Sequence, residues 1–387
     1  MIPIKYNLRN LRVRWKTTLL TTIATGLVVW SSCILFGMVE GLQYSLTISG
    51  DPLDLIVLRK GSSNETGGGF TSDKADDLLN LPGIARDDQG HPLAAKELLN
   101  IPLAERTNGT RTNIIIRGVQ RASRKLRPDF KIVAGNDFEE GKGECIVSRN
   151  LARSLKGAHI GGRLRYGDKE EYQVVGLFTA GGSAAESEVW ADLKDVEKNT
   201  GRDGSVSSVQ LRAATPDDYA RLRQTIDADT QFKLSAIPES VYFESQSRSG
   251  AFMKVMGTLI AVLLTFGAMF ASANTMFAAV KSRTREIGTM RALGFSQFDV
   301  LISFLSESLI LCTLGGALGL LATLPLSALT LETSNFNTFA AVTISFRFGP
   351  LVMAVALTMT LAMGLFGGMF PAIRAVRLNV IAALREL

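Results

Sequence analysis

The chain has 387 residues, 46% of them hydrophobic and 20% charged, with a formal net charge of +6. That mixture excludes a purely soluble domain and fits a membrane protein with a substantial water-soluble part. The basic residues gather beside apolar runs without a zinc-finger or helix-turn-helix pattern, which excludes nucleic acid as the partner they serve.

The first sixteen residues, with "KYNLRNLRVRWK", are basic, and Ile4, Leu8, Leu11 and Trp15 recur at helical spacing. An amphipathic helix in the membrane interface is expected there. Thr17 to Val39, within a first crossing assigned to 17–43, is almost wholly apolar or small and long enough to span a hydrocarbon core. It is too long for a signal-peptide h-region and ends in no small-residue cleavage site, so it reads as an uncleaved anchor. Glu40 is expected at its outer interface.

Residues 44–250 are too polar to span and long enough for one or two mixed α/β domains. "DLIVLRK", "RTNIIIRGV" and "SVSSVQLRA" are short, β-branched and bounded by turn residues, and read as strands. "GECIVSRNLARSLKG" reads as a strand passing into a short helix, and "GRLRYGDKEEYQVVGLF" as a hairpin about Gly167-Asp168. Thr215-Pro216-Asp217-Asp218 combines an N-cap, a proline at the first helical position and acid in the first turn, opening a helix through about Ile226. "GSSNETGGGFTS" (61–72) and "TAGGSAAESE" (179–188) read as flexible linkers. Two N-x-T triplets, at Asn64 and Asn108, are common by chance and carry no weight.

Three further runs complete the membrane part: Val255 to Val280 (251–280), Val300 to about Leu329 (298–330), and Leu351 to Pro371 (350–372). Lys5, Arg9, Arg12, Arg14 and Lys16 precede the first run; Lys281, Arg283, Arg285 and Arg291 join the second to the third; Arg374, Arg377 and Arg385 follow the fourth. The 331–349 loop offers only Arg347, so the positive-inside rule places both termini and the 281–297 connector in the cytoplasm and the large segment outside. Gly315 with Gly319, and Gly364 with Gly368, each share a helix face, for packing within the four-helix bundle or against a second subunit. Glu307, about two turns into the third run, is costly in lipid and is expected to face a partner or wet cavity, or else to snorkel to the interface.

In "KSRTREIGTMRALGFS", residues 281–296, Ile287, Met290 and Leu293 or Gly294 recur at intervals of three or four, with Arg283, Arg285 and Arg291 on the polar side. A short amphipathic helix follows, resting on lipid headgroups or gripped by a cytoplasmic partner. Catalysis is not expected. "GNDFEEGKGE" departs from a phosphate-binding loop in glycine spacing and has Gly143 after Lys142, and no hydrolase elbow or metalloprotease helix occurs. Cys33, Cys145 and Cys312 form no disulfide framework or metal cluster, and His91 and His159 are widely separated.

"TREIGTMRALGFSQFDVLISFLSESLILCTLGGALGLL" (284–321) and "PAIRAVRLNVIAALREL" (371–387) resemble the MacB/FtsX family of ABC-transporter permeases. "GECIVSRNLARSL" and "YQVVGLF" resemble its extracytoplasmic domain, so the likeness covers essentially the whole chain. The resemblance implies four transmembrane helices, one plus three, with a large α/β domain between the first and second, in a bacterial inner membrane. It implies a homodimer bound to cytoplasmic ABC ATPase subunits that carry the ATP and magnesium, with no cofactor in this chain. A periplasmic adaptor or membrane-fusion protein and a lipidic or amphiphilic cargo are further implied partners. Arg285, Glu286, Ile287, Gly288, Met290, Arg291, Leu293 and Gly294 are the residues it marks for ATPase coupling. Since the chain begins sixteen residues before the first span, the ATPase is expected on a separate polypeptide. The alternative is an FtsX-like signalling mechanotransmitter that activates an outer partner such as a cell-wall hydrolase.

Overall fold

The structure is a computed structural model that describes residues 4–47, 51–127, 129–167, 170–229, 233–246, 248–334 and 341–378. Asp168 of the expected hairpin turn, the centre of the 331–349 loop and the tail beyond Leu378, Arg385 included, lie outside the described residues, as do the side chains of Ile4 and Leu8.

In chain order the elements begin with α1 (Ile4–Val13) and α2 (Trp15–Thr47). The polar segment follows with β1 (Asp54–Arg59), β2 (Phe70–Thr71), α3 (Ser72–Leu79), β3 (Ala94–Asn100), β4 (Leu103–Glu105), β5 (Arg111–Asn113) and β6 (Ile115–Val119). Next come α4 (Arg121–Leu126), β7 (Phe130–Gly135), β8 (Glu144–Ser148), β9 (Arg163–Tyr166), β10 (Glu170–Ala180), β11 (Glu188–Asp192) and α5 (Leu193–Thr200). β12 (Ser205–Val206), β13 (Ser208–Arg212), α6 (Pro216–Ala228), β14 (Leu234–Pro238) and α7 (Glu239–Gln246) close it. The last third holds α8 (Arg248–Ser282), α9 (Thr284–Ala292), α10 (Gln297–Leu321), β15 (Thr330–Ser334), β16 (Ala341–Ser345) and α11 (Pro350–Val376). Four long apolar helices, one before and three after a mixed α/β domain, thus form the architecture that the sequence implies. The chain divides into two compact units, residues 1–40 with 252–329 and 346–387, and residues 41–251 with 330–345.

Among the described residues, four stretches are long and apolar enough to cross a membrane: Trp15–Ser45, Lys254–Ser282, Gln297–Ser327 and Pro350–Val376. Their packing depends on absent side chains. A Cβ on Gly315 would lie 2.7 Å from the Thr22 carbonyl oxygen and one on Gly319 3.1 Å from the Trp30 nitrogen, so α10 closes on α2 where both are glycine. On Gly368 it would stand 2.6 Å from the Ser308 Cβ and on Gly364 2.9 Å from Leu309, seating α11 on α10. The Ser308 hydroxyl donates to the Gly364 carbonyl at 2.8 Å across that contact. All four glycines therefore pack inside the bundle.

Three boundaries differ from the sequence reading. The fourth helix does not stop at Pro371 but runs to Val376; the proline removes one backbone hydrogen bond, while buried Ala372 and Ala375 hold the last turn against the bundle. The third helix ends at Leu321 and continues only as a 3-10 turn from Leu324 to Ala328. The 331–349 loop carries the antiparallel pairing of β15 with β16.

The second unit is built on a twelve-stranded sheet in the order β14-β1-β13-β3-β6-β11-β8-β10-β9-β4-β5, with β7 also on β10. Its pairs are antiparallel except β10 with β8 and β11 with β6. One apolar cluster joins Leu55, Leu78, Val209, Leu222 and Ile226; another joins Ile116, Cys145, Val147, Leu164 and Val189. The Thr215 hydroxyl accepts from the Asp218 amide at 3.1 Å and starts α6 as the cap signal requires. β9 and β10 pair as the expected hairpin. The run "RTNIIIRGV" is divided, because Ile114 bonds to the Pro102 carbonyl at 3.0 Å and separates β5 from β6.

Arg117 on β6 gathers much of this unit. All five of its N–H groups donate to carboxylates: Glu65 at 2.7 and 3.0 Å, Glu97 at 2.8 Å, and Glu188 at 2.8 and 2.9 Å. Arg127 donates to the same Glu97 at 2.8 Å, Ser208 to Glu65 at 2.6 Å, and the Trp190 indole to Glu188 at 2.7 Å. Burial opposes the Glu65 charge, and Arg117 overcomes it, holding the carboxyl below its ordinary range. Both stretches read as linkers are thereby corrected. The 61–72 stretch delivers Glu65 to the buried cluster, and 179–188 forms a turn in which the Glu186 carboxylate accepts from the Ala180 and Gly182 amides at 2.9 and 3.0 Å before Glu188 enters β11.

Replacing Arg117 with Met would leave three buried carboxylates without their shared counter-charge, and the expected loss of stability is about 3–5 kcal/mol, read as a lower urea midpoint. Burial raises the Glu239 carboxyl to about 8, with Asp54 adding repulsion and Arg127 offsetting part. Its folded value lies above the unfolded one, so stability falls as pH rises from the ordinary carboxylate range to about 8. Glu239→Gln is expected to remove that slope and raise Tm at pH 8 relative to pH 5 more than in the parent chain.

Candidate functional site

The connector between the second and third apolar helices is fixed at both ends. α8 stops at Ser282, and Arg283 leaves helical geometry while its carbonyl accepts from the Ile287 amide at 2.9 Å, so α9 starts directly from the residue that ends α8. At the other end Gly294 has φ of +96°, a left-handed conformation that a side chain would strain. Its amide donates to the Arg291 carbonyl and the Phe295 amide to the Met290 carbonyl, both at 3.2 Å, the paired bonds of a Schellman cap. Two residues on, Ser296 and Asp299 exchange side chain to backbone bonds at 3.1 and 3.0 Å, a capping box that opens α10. A tight left-handed turn and two caps therefore leave little slack between α9 and α10.

Arg283 does not stay on the polar side. Its side chain is buried, and its guanidinium donates to Glu307 of α10 at 2.9 and 3.2 Å, one bond to each carboxylate oxygen. The reason is that α9 begins at Thr284, so Arg283 lies outside the helical wheel that the spacing argument assigned it. Glu307 thus faces an arginine of its own chain.

The expected coupling residues divide by face. Ile287 and Gly288 are buried, and Ile287 enters an apolar cluster with Leu11 of α1, Met276 and Val280 of α8, Val300 and Phe304 of α10, and Ala372 of α11. Met290 packs against the same cluster in part, and Arg291 is half-buried. Arg285, Glu286 and Gly294 are exposed, and Leu293 is 75% exposed. The apolar stripe therefore ends at Met290, because the helix stops at Ala292 and turns Leu293 outward. Phe298, 65% exposed on the first turn of α10, adds an aromatic residue to that surface. Sequence reasoning missed Phe298, Arg283 as an anchor, and the Ser296 box, although "SQFD" carries the box signature.

Elsewhere, a cleft of about 750 Å³ in the second unit is lined by Lys96, Lys125, Asp192 and Glu197 among others. Lys96 and Lys125 pair with Asp76 and Asp87, which leaves that cleft without a free cation among these two. Cys33, Cys145 and Cys312 are buried, both histidines are exposed, and the described residues include no group of three or more His, Cys, Asp or Glu arranged to hold a metal ion.

A unit of four long apolar helices, an α/β domain set between the first and second of them, and a short capped elbow between the second and third define a multi-pass membrane protein. The FtsX-like permease C-terminal model matches residues 258–380 and the MacB-like periplasmic core domain matches residues 18–229. The chain belongs to the MacB/FtsX family of ABC-transporter permeases. It is 26% identical over 415 aligned residues to a macrolide export ATP-binding/permease protein MacB of Brucella melitensis, covering 98% of this chain and 60% of that protein. With the same-named protein of Bdellovibrio bacteriovorus it shares 24% over 304 residues, covering 70% of this chain and 44% of the other. The chain thus spans about half the length of the curated relatives it matches. The solved periplasmic region of MacB from Actinobacillus actinomycetemcomitans has 8% identity and a TM-score of 0.39, covering 54% of this chain and 98% of that one.

Arg283→Gln leaves the Glu307 carboxylate buried without its partner, and the expected loss is about 3–5 kcal/mol. Joint replacement by Arg283→Met and Glu307→Leu is expected to recover most of that stability. Thermal unfolding of the three proteins in one detergent checks both.

Proposed function

We propose that this chain is the permease part of an ABC transporter in a bacterial inner membrane, with both termini and α9 in the cytoplasm. In this reading an ABC ATPase, which binds the ATP and magnesium, presses on the exposed face of α9 formed by Arg285, Glu286 and Leu293 with neighbouring Arg291 and Phe298. A second copy of the chain completes the membrane part. The movement passes to the outer domain, which drives a lipidic or amphiphilic cargo outward or into a periplasmic adaptor.

The observation that carries this reading is the anchorage of α9. The Arg283 to Glu307 pair ties its start to the third turn of α10, and Ile287 seats it among four helices. In this reading a tilt applied to the outward face passes through these contacts to the adjoining spans. The basic flanks at residues 5–16, 281–291 and 374–377 support the cytoplasmic placement. The names of the MacB relatives support an ATP-binding partner function and export.

The reading is tested on the exposed face, where substitution spares the fold. Glu286→Arg and Leu293→Asp are each expected to leave insertion unchanged and stability within about 0.5 kcal/mol of the parent. ATP-driven export should fall at least tenfold, with loss of the co-purifying ATPase. Unimpaired export in both variants would refute the coupling role. A cell-wall hydrolase, and no adaptor or lipid, recovered with the outer domain would instead favour signalling.

A further inference from the structure

A cleft of about 380 Å³ opens in the first unit at the same end of the bundle as the elbow. Leu11 and Val13 of α1, Arg14, the Trp15–Thr18 start of α2, Thr275, Met276 and Ala279 of α8, and Glu307 and Leu311 of α10 form its walls. Its charge is not balanced. The single carboxylate at the cleft, Glu307, has both oxygens engaged by Arg283. Arg14 is half-buried and Lys16 exposed, and neither side chain has a hydrogen bond or ion pair among the described residues; Glu307 and Glu286 attract the Arg14 guanidinium and Arg283 repels it, and the Lys16 ammonium lies 5.8 Å from the Trp15 ring centroid. The Thr17 and Thr18 hydroxyls donate to the Arg14 and Leu11 carbonyls at 3.0 Å. The guanidinium and ammonium are thus the donors left to serve a ligand, and both call for an anion.

The surroundings narrow its nature. Trp15 is 59% exposed beside the two cations, and the next turns of α2 present Leu19, Leu20 and Ile23 outward. An aromatic ring at the head of an apolar helix face marks the level where headgroups meet acyl chains. We propose that this cleft binds the phosphate of an anionic glycerophospholipid, with Arg14 and Lys16 on the phosphate and the acyl chains along Leu19, Leu20 and Ile23. Bound there, one lipid touches α1, α2, α8 and α10 at once and braces the helices that hold the elbow. The site is independent of ATP-driven coupling, since binding is measured without an ATPase.

The full chain in a neutral detergent is titrated with phosphatidylglycerol, phosphatidylcholine or inorganic phosphate, and the bound species are counted by native mass spectrometry. The parent chain should retain phosphatidylglycerol at roughly tenfold lower concentration than phosphatidylcholine, as a charge-assisted pairing predicts. Arg14→Gln with Lys16→Gln should abolish that preference, and Arg14→Lys should keep most of it. Ala278→Phe, which fills the cleft from an exposed position and leaves every charge in place, should abolish it as well. Arg12→Gln, which removes an exposed charge outside the cleft, should have no effect. Preference surviving in the double and filled variants, or lost equally in Arg12→Gln, would overturn the site. Retention of inorganic phosphate without phosphatidylglycerol would overturn the lipid as its source.

Discussion

The membrane unit depends on one buried ion pair. Arg283 at the joint of α8 and α9 and Glu307 on α10 are 24 residues apart, and each is costly in a low-dielectric interior without the other. Because the arginine sits at the joint between α8 and α9, satisfying the pair fixes where the elbow begins and against which turn of α10 it lies. Ile287 then falls into the apolar cluster, and Gly294 with Ser296 completes the return into α10. A hydrophobic pair could supply equal stability there, so what the charged pair adds is a defined register between elbow and span.

The outer unit uses the same device at larger scale. Arg117 converges on Glu65, Glu97 and Glu188, which come from a glycine-rich stretch, β3 and the start of β11. With every guanidinium donor engaged, the strands in the middle of the sheet keep one arrangement. The two units thus share a design in which apolar burial supplies most of the stability and a buried arginine sets the geometry.

The sequence carried the architecture well and the anchors poorly, for a physical reason. Four apolar runs of about 20 residues, the Thr215 cap and the β9 to β10 hairpin are local signals, and each appears where expected. Glu65 was unreadable because Gly and Ser around it have the composition of a linker, and only its partner 52 residues away explains its burial. Arg283 was misplaced because helical spacing was extended one residue beyond the true start of α9. Pro371 misled in the same way: a local stop signal was outweighed by tertiary packing of the turn that follows it. The residues expected to meet an ATPase were legible as one short helical segment, while their division into an inward face at Ile287 and Gly288 and an outward one at Glu286 and Leu293 depended on where the helix ends.

The central claim is that the elbow and the third span move as one body. It is tested most directly by pulsed electron–electron distance measurement between spin labels on Thr289→Cys and Leu314→Cys, both exposed positions, with the three native cysteines buried. One narrow distance, unchanged when the ATPase and ATP are added and broadened by Arg283→Gln, is the predicted result. A distance that broadens or shifts with nucleotide in the otherwise unmodified chain would contradict the account.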